Sequence, residues 1–194
     1  MMKIGFICEG LSDRKFLESE KFNHFLFGIG LDCVNVIDAE GSGNLLPHNI
    51  SGYIQRLEQL GAEKIVILTD LDADACITMT KQRINARPED IVLVAVKELE
   101  SWFLASTTTM RKLLNDDAFY FEFPEKEADS FEQIRQLKFN KTGSGITKGA
   151  GGKRKLISIL LTLGLDIRQA ATHENCYSAK YFVQKLSSIS SNSF

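Results

Sequence analysis

The sequence predicts an α/β fold: an open parallel sheet of about four strands flanked by helices. Two runs, residues 64–69 (KIVILT) and 91–96 (IVLVAV), are continuously apolar and β-branched. That is the pattern of parallel strands covered on both faces. Two further strand-like runs precede them, residues 3–8 (KIGFIC) and 32–39 (DCVNVIDA). Segments of helical length separate all of them. Such alternation implies right-handed crossovers between parallel strands.

The elements follow in order. After the first strand, Glu9-Gly10-Leu11-Ser12-Asp13 forms a turn, and Ser12 or Asp13 is placed to cap a helix starting near Arg14. Phe16, Leu17, Phe22, Phe25 and Leu26 give that helix a loose apolar stripe, and Gly28 and Gly30 stop it. The second strand leads through a loop at 40–44 (EGSGN) into a helix over 45–60, ended by Gly61. A third helix fills 75–86 and stops before Pro88. Beyond Glu100 the alternation ends. Residues 101–114 read as a helix, 119–124 as irregular and aromatic, and 125–137 as a polar helix. Residues 139–152 (FNKTGSGITKGAGG) read as a flexible loop. Helices follow over 153–163 and 178–188, with a low-complexity tail at 187–194 expected to fray. The domain expectation is an α/β core over 1–105, with a helical, basic region over 106–194 packed on it.

The chain has 194 residues, 44% hydrophobic and 25% charged, so it carries enough apolar material for a packed core. Cys8, Cys33, Cys76 and Cys176 are scattered without a CxxC pair, which argues against a disulfide framework or zinc knuckle and for buried or half-buried thiols. No uncharged apolar stretch is long enough to span a bilayer. The opening MMKIGFIC runs into Glu9 without a cleavage signal, so a cytoplasmic location and no membrane partner are expected. Charge is divided unevenly. Residues 1–134 hold 13 Lys+Arg against 23 Asp+Glu, whereas residues 135–194 hold 10 against 2. The basic part suits nucleic acid phosphates, or alternatively the acidic part of its own fold.

The acidic residues point to chemistry. Glu9 follows the first strand, Asp70, Asp72 and Asp74 follow the third, and Glu98 and Glu100 follow the fourth. Ligands of open parallel sheets bind beyond the carboxyl ends of the strands, where the strand order reverses. An order of 2-1-3-4 sets strands one and three side by side. Glu9 then comes close to Asp70 and Asp72, and Glu98 or Glu100 can join from strand four. Crowded carboxylates repel. A hard divalent cation relieves that conflict, and oxygen ligands select Mg²⁺, Mn²⁺ or Ca²⁺. Such a site suits phosphoryl or phosphodiester chemistry.

These residues also carry a resemblance. Glu9-Gly10 with Asp13 after strand one, and Thr69-Asp70-Leu71-Asp72 after strand three, resemble the two signature motifs of the Toprim domain. That domain is shared by topoisomerases, bacterial primases, recombination mediators and the overcoming-lysogenization-defect nucleases. More narrowly, EGLSD, GSGN, TDLDAD and the ELESWFLA stretch at 98–105 are similar to small stand-alone Toprim-like proteins. The basic loop before residue 153 and the SAKYFVQKL helix fit the same group. The resemblance implies that Glu9 moves a proton and that Asp70 and Asp72 bind Mg²⁺ or Mn²⁺ with it. Asp74 and Glu100 stand as further ligands, and Asp13 reads as a helix cap. It also implies a place in bacterial defence or DNA-repair modules, beside an ATPase partner. Larger relatives carry additional catalytic machinery. Here only Lys141, Lys148, Lys153, Arg154 and Lys155 are at hand, as candidates to hold phosphates.

Other features read as structural. GITKGAGGKR lacks the GxxxxGK[ST] spacing and follows no strand, so it is not a phosphate loop of that type. His24, His48 and His173 are isolated and read as surface or packing residues. Trp102 reads as a core plug, with base stacking as the alternative. The run at 106–109 reads as a helix entry. GSGN reads either as a turn or as a backbone approach to phosphate.

The functional expectation is a metal-dependent nuclease acting on nucleic acid, with DNA favoured. The alternative is a binding subunit that depends on a partner for chemistry. A phosphoryl-accepting receiver would also gather acidic residues at strand ends, but it has no use for the basic segment.

Overall fold

The four apolar runs are strands in the computed structural model, which describes residues 1–191. β1 (Met2–Cys8), β2 (Leu31–Asp38), β3 (Lys64–Asp70) and β4 (Ile91–Ala95) form one sheet in the order β2-β1-β3-β4. β1 is parallel to both neighbours, with Ile7 opposite Ile37 on one side and Ile67 on the other. The fold is α/β, with the expected strand order. The chain divides into two compact units. The first is Met1–Val94 with the described residues from Gln184, and the second is Ala95–Val183. The sequence expectation sets the boundary at 105. Division after Val94 places Glu98, Glu100 and Trp102 in the second unit.

In the first unit, successive β1 side chains face opposite ways. Ile7 joins Ile37, Leu57, Ile65 and Ile67 in one buried cluster. Gly5 belongs to that face: a Cβ there would sit 2.9 Å from both Leu57 methyls. The missing side chain lets the helix carrying Leu57 approach the sheet. On the other face, Phe6 meets Phe22 edge-on, with ring centroids 5.6 Å apart.

The predicted single helix after β1 is two, α1 (Leu11–Leu17) and α2 (Glu20–Gly28). Ser19 divides them by accepting a hydrogen bond from Phe22 N–H at 3.4 Å, an N-cap the apolar stripe conceals. A short 3₁₀ turn (Ser42–Leu45) precedes α3 (Pro47–Gln59), where Pro47 supplies the N-terminal φ. α4 (Ile77–Ile84) ends at Asn85, which is left-handed.

The second unit is helical: α5 (Glu100–Ala105), α6 (Thr107–Leu114), a 3₁₀ turn (Pro124–Lys126), α7 (Ser130–Thr142), α8 (Gly149–Thr162), α9 (Ile167–Ala171) and α10 (Tyr177–Ser191), whose end passes into the first unit. Three sequence expectations change. The helix over 101–114 breaks at Ser106. The loop over 139–152 shrinks to 143–148, because α7 runs to Thr142 and α8 starts at Gly149. Gly152 is buried inside α8, where a Cβ would fall 1.7 Å from the Thr147 carbonyl oxygen. That glycine serves close packing. The expected frayed tail is helix through Ser191, and its last three residues lie outside the described ones.

Trp102 is buried, 1% exposed. Its indole N–H donates to Ser178 Oγ at 2.7 Å, and its ring packs on Phe182. It is the expected core plug, and no ring face is open to a base. His173 is a packing residue: Asn175 N–H donates to Nδ1 and Nε2 donates to the Phe121 carbonyl. All four cysteines are free, and burial pushes the thiols of Cys8, Cys33 and Cys176 up. Cys76 is exposed, contrary to the expectation of four sheltered thiols. Among the described residues no helix is long and apolar enough to cross a membrane.

Candidate functional site at the carboxyl ends of β1 and β3

The chain leaves β1 toward β2 on one side and returns to β3 on the other, so the strand order reverses between β1 and β3. Glu9 stands at that reversal. Its Oε1 accepts from the Asp70 backbone N–H at 2.9 Å and from the Thr69 hydroxyl. A side chain after β1 is thereby tied to the end of β3, as the strand order requires. Burial raises the Glu9 pKa above the ordinary glutamate value of 4.5. The two hydrogen bonds pull it down, the Asp72 charge pushes it up, and Arg83 opposes that push. Desolvation is the largest cause, because a carboxylate loses more by burial than a neutral acid does.

The surroundings hold Glu9 from behind. Gly41 N–H donates to the Glu9 carbonyl at 2.7 Å, and Asn44 Nδ2 donates to the Ala39 carbonyl at 2.7 Å. Gly41 has φ +124°, which L side chains rarely adopt. GSGN is therefore a turn bound to the Glu9 backbone. Asp13 Oδ2 accepts from Gly10 N–H at 3.1 Å: the helix starts at Leu11 rather than near Arg14, so Gly10 is the N-cap and Asp13 closes the cap from the third helical position.

The aspartates after β3 differ in setting. Asp70 is half-buried. Asp72 is exposed and left-handed, with φ +49°. Asp74 is ion-paired with Arg83 at 3.1 Å. Arg83 is the residue missed by sequence reasoning. It reaches Asp74 and its charge is felt at Glu9, yet nothing in its spacing signals that role. Among the described residues, no group of three or more His, Cys, Asp or Glu side chains is gathered closely enough to hold a metal ion. The donors are nonetheless all carboxylate oxygens, the set that suits Mg²⁺ or Mn²⁺. Both hydrogen bonds to Glu9 fall on Oε1.

Glu100 belongs to the second unit, where it is 3% exposed and lies 3.3 Å from Lys153 Nζ. Lys153 lies 2.7 Å from Glu98, whose other oxygen accepts from Phe131 N–H at 2.9 Å. Glu98 thus anchors the start of α7 and the Lys153 ammonium. Lys148, Lys153, Glu98 and Phe131 line an open cavity of about 640 Å³. Lys141 is paired with Asp116 at 2.7 Å. Lys148, Arg154 and Lys155 are exposed and make no ion pair among the described residues.

No protein-family model matches the chain, and no curated protein matches it. Among solved structures it is similar to the C-terminal region of the Burkholderia pseudomallei OLD protein, at 16% sequence identity and a TM-score of 0.44, over 96% of this chain and 99% of that one.

Proposed function

We propose that this protein is a metal-dependent nuclease, acting on nucleic acid with DNA as the favoured substrate. The observation that carries the reading is Glu9: a carboxyl with a raised pKa, held at the strand-order reversal by the backbone of Asp70. A pKa nearer neutrality makes a carboxyl a better proton carrier at working pH. Asp70 and Asp72, with Glu9, are not gathered closely enough to hold a metal ion as they stand, and would have to draw together to hold Mg²⁺ or Mn²⁺. The ion would supply polarisation of the phosphate and activation of water. Glu9 would move the proton between water and the leaving oxygen. Asp74 would join as a ligand only after leaving Arg83, whereas Glu100 lies in the second unit, paired with Lys153. Lys148, Arg154 and Lys155, free of ion pairs, would hold backbone phosphates. Lys141 and Lys153 would do so after releasing Asp116 and Glu98.

A second reading has one observation in its favour. Asp74 is already neutralised by Arg83, and Lys153 by Glu98 and Glu100. Much of the charge is thus satisfied internally, as in a nucleic-acid-binding subunit that acts only with a partner such as an ATPase. Incubation with plasmid and single-stranded DNA in Mg²⁺ or Mn²⁺ separates the readings. Cleavage by the wild type that is lost in Asp70→Ala/Asp72→Ala supports the nuclease. Binding without cleavage supports the subunit.

A further inference from the structure

Residues 135–155 contain seven Lys+Arg and no acidic residue. They comprise the end of α7, the turn and the start of α8. The turn is folded back. Gly143 N–H donates to the Phe139 carbonyl at 2.8 Å, Arg135 Nε donates to the Ile146 carbonyl at 2.7 Å, and Ile146 is buried. The same segment carries Phe139, 60% exposed. A Cβ on Gly145 would touch its ring edge at 4.0 Å, so the turn lies along one side of the ring and the rest meets solvent.

An exposed phenylalanine leaves apolar surface in water that a partner could cover. Its helical neighbours Gln136, Lys138, Asn140 and Thr142 are polar, which suits an apolar protein partner poorly. Lys138, Lys148, Arg154 and Lys155 make no ion pair among the described residues, so their charge is available to an anion. A ring on the same segment as unpaired cations matches a partner that offers both aromatic faces and phosphates. In a duplex the base faces are already stacked, whereas in a single strand they are accessible. We infer that Phe139 is a base-stacking residue for single-stranded nucleic acid, with the cations of the same segment holding the flanking phosphates. The inference rests on the nucleic-acid reading above and narrows its substrate class.

The test is fluorescence anisotropy with labelled oligo-dT and with a duplex of equal length, in EDTA so that cleavage cannot intervene. Wild type, Phe139→Ala and Phe139→Trp are compared. Loss of one base stack should weaken oligo-dT binding about tenfold in Phe139→Ala. Duplex binding should be unchanged, and Phe139→Trp should restore the single-strand affinity. Unaltered oligo-dT binding by Phe139→Ala, with a wild type that binds, overturns the stacking role and leaves the nucleic-acid reading standing. Equal weakening toward both probes also overturns it, since the ring would then merely support the segment. A wild type that binds neither probe overturns both.

Discussion

Ser178 is the residue whose loss the structure predicts most sharply. It is 5% exposed, and its Oγ accepts from the Trp102 indole N–H at 2.7 Å and from the Val96 backbone N–H at 3.2 Å. The same hydroxyl donates to Glu125 Oε1 at 2.5 Å. Ser178→Ala removes one oxygen and strands two donors, one on a tryptophan that is 1% exposed. A buried donor left unpaired costs about 1–3 kcal/mol, and since the Val96 donor is only half-buried the two together should cost about 2–4 kcal/mol. For a chain of this size each kcal/mol lowers Tm by about 2–4 °C, which predicts a fall of roughly 5–15 °C. Calorimetry measures the loss. Trp102 is the only tryptophan, so its emission reports the site directly. A cycle with Trp102→Phe, which deletes the main donor, should show a coupling of about 1–2 kcal/mol. The effect should reach Glu98 and Glu100, because Val96 leads into the segment that carries them. A loss below about 0.5 kcal/mol with no coupling would refute the claim that this hydroxyl satisfies buried donors.

Further outcomes follow from the same geometry. Glu9→Gln keeps an acceptor for Thr69 and Asp70 while removing a charge that burial disfavours. Because the Glu9 pKa is raised in the folded state, its ionisation lowers stability as pH rises from about 4.5 through the raised value. The variant should therefore be more stable than wild type at neutral pH, with the advantage shrinking toward pH 4, as melting across pH would show. It should also lose cleavage. Gly5→Ala drives a Cβ to 2.9 Å from Leu57 in the first unit's core. It should cost about 1–3 kcal/mol by denaturant unfolding, and Leu57→Val should recover part of that. Arg154→Ala/Lys155→Ala should lower the slope of log affinity against log salt by about 1.8 on duplex DNA, if both contact phosphates.

The sheet was legible because parallel strands buried on both faces require continuous apolar, β-branched runs, and β1, β3 and β4 have them. Strand order then brought Glu9 to the end of β3 without further information. Helix boundaries were less legible. Ser19 and Ser106 interrupt apolar patterns that continue across them. At Ser19 a side-chain hydrogen bond decides the matter, and the apolar period does not report it. The glycine-rich stretch reads as loop by composition, yet residues 149–152 are helical. Gly152 is there to clear the Thr147 carbonyl, a tertiary demand. The ion pairs were not legible. Arg83 and Asp74 are nine residues apart, and Lys153 and Glu98 fifty-five. Only the packed chain brings those charges together, and it commits Asp74 and Glu100 to protein cations rather than leaving them open.

The central claim is that Asp70 and Asp72, with Glu9, bind a divalent cation. Titration of Mn²⁺ into wild type and Asp70→Asn/Asp72→Asn, followed by calorimetry and by the electron paramagnetic resonance signal of free Mn²⁺, tests it most directly. A single-stranded oligonucleotide with uncleavable linkages is included, so that phosphate oxygens can complete the coordination. The account predicts Mn²⁺ uptake by the wild type, strengthened by the oligonucleotide and abolished in the variant. Equal uptake by both proteins, or none by the wild type with oligonucleotide present, would contradict it.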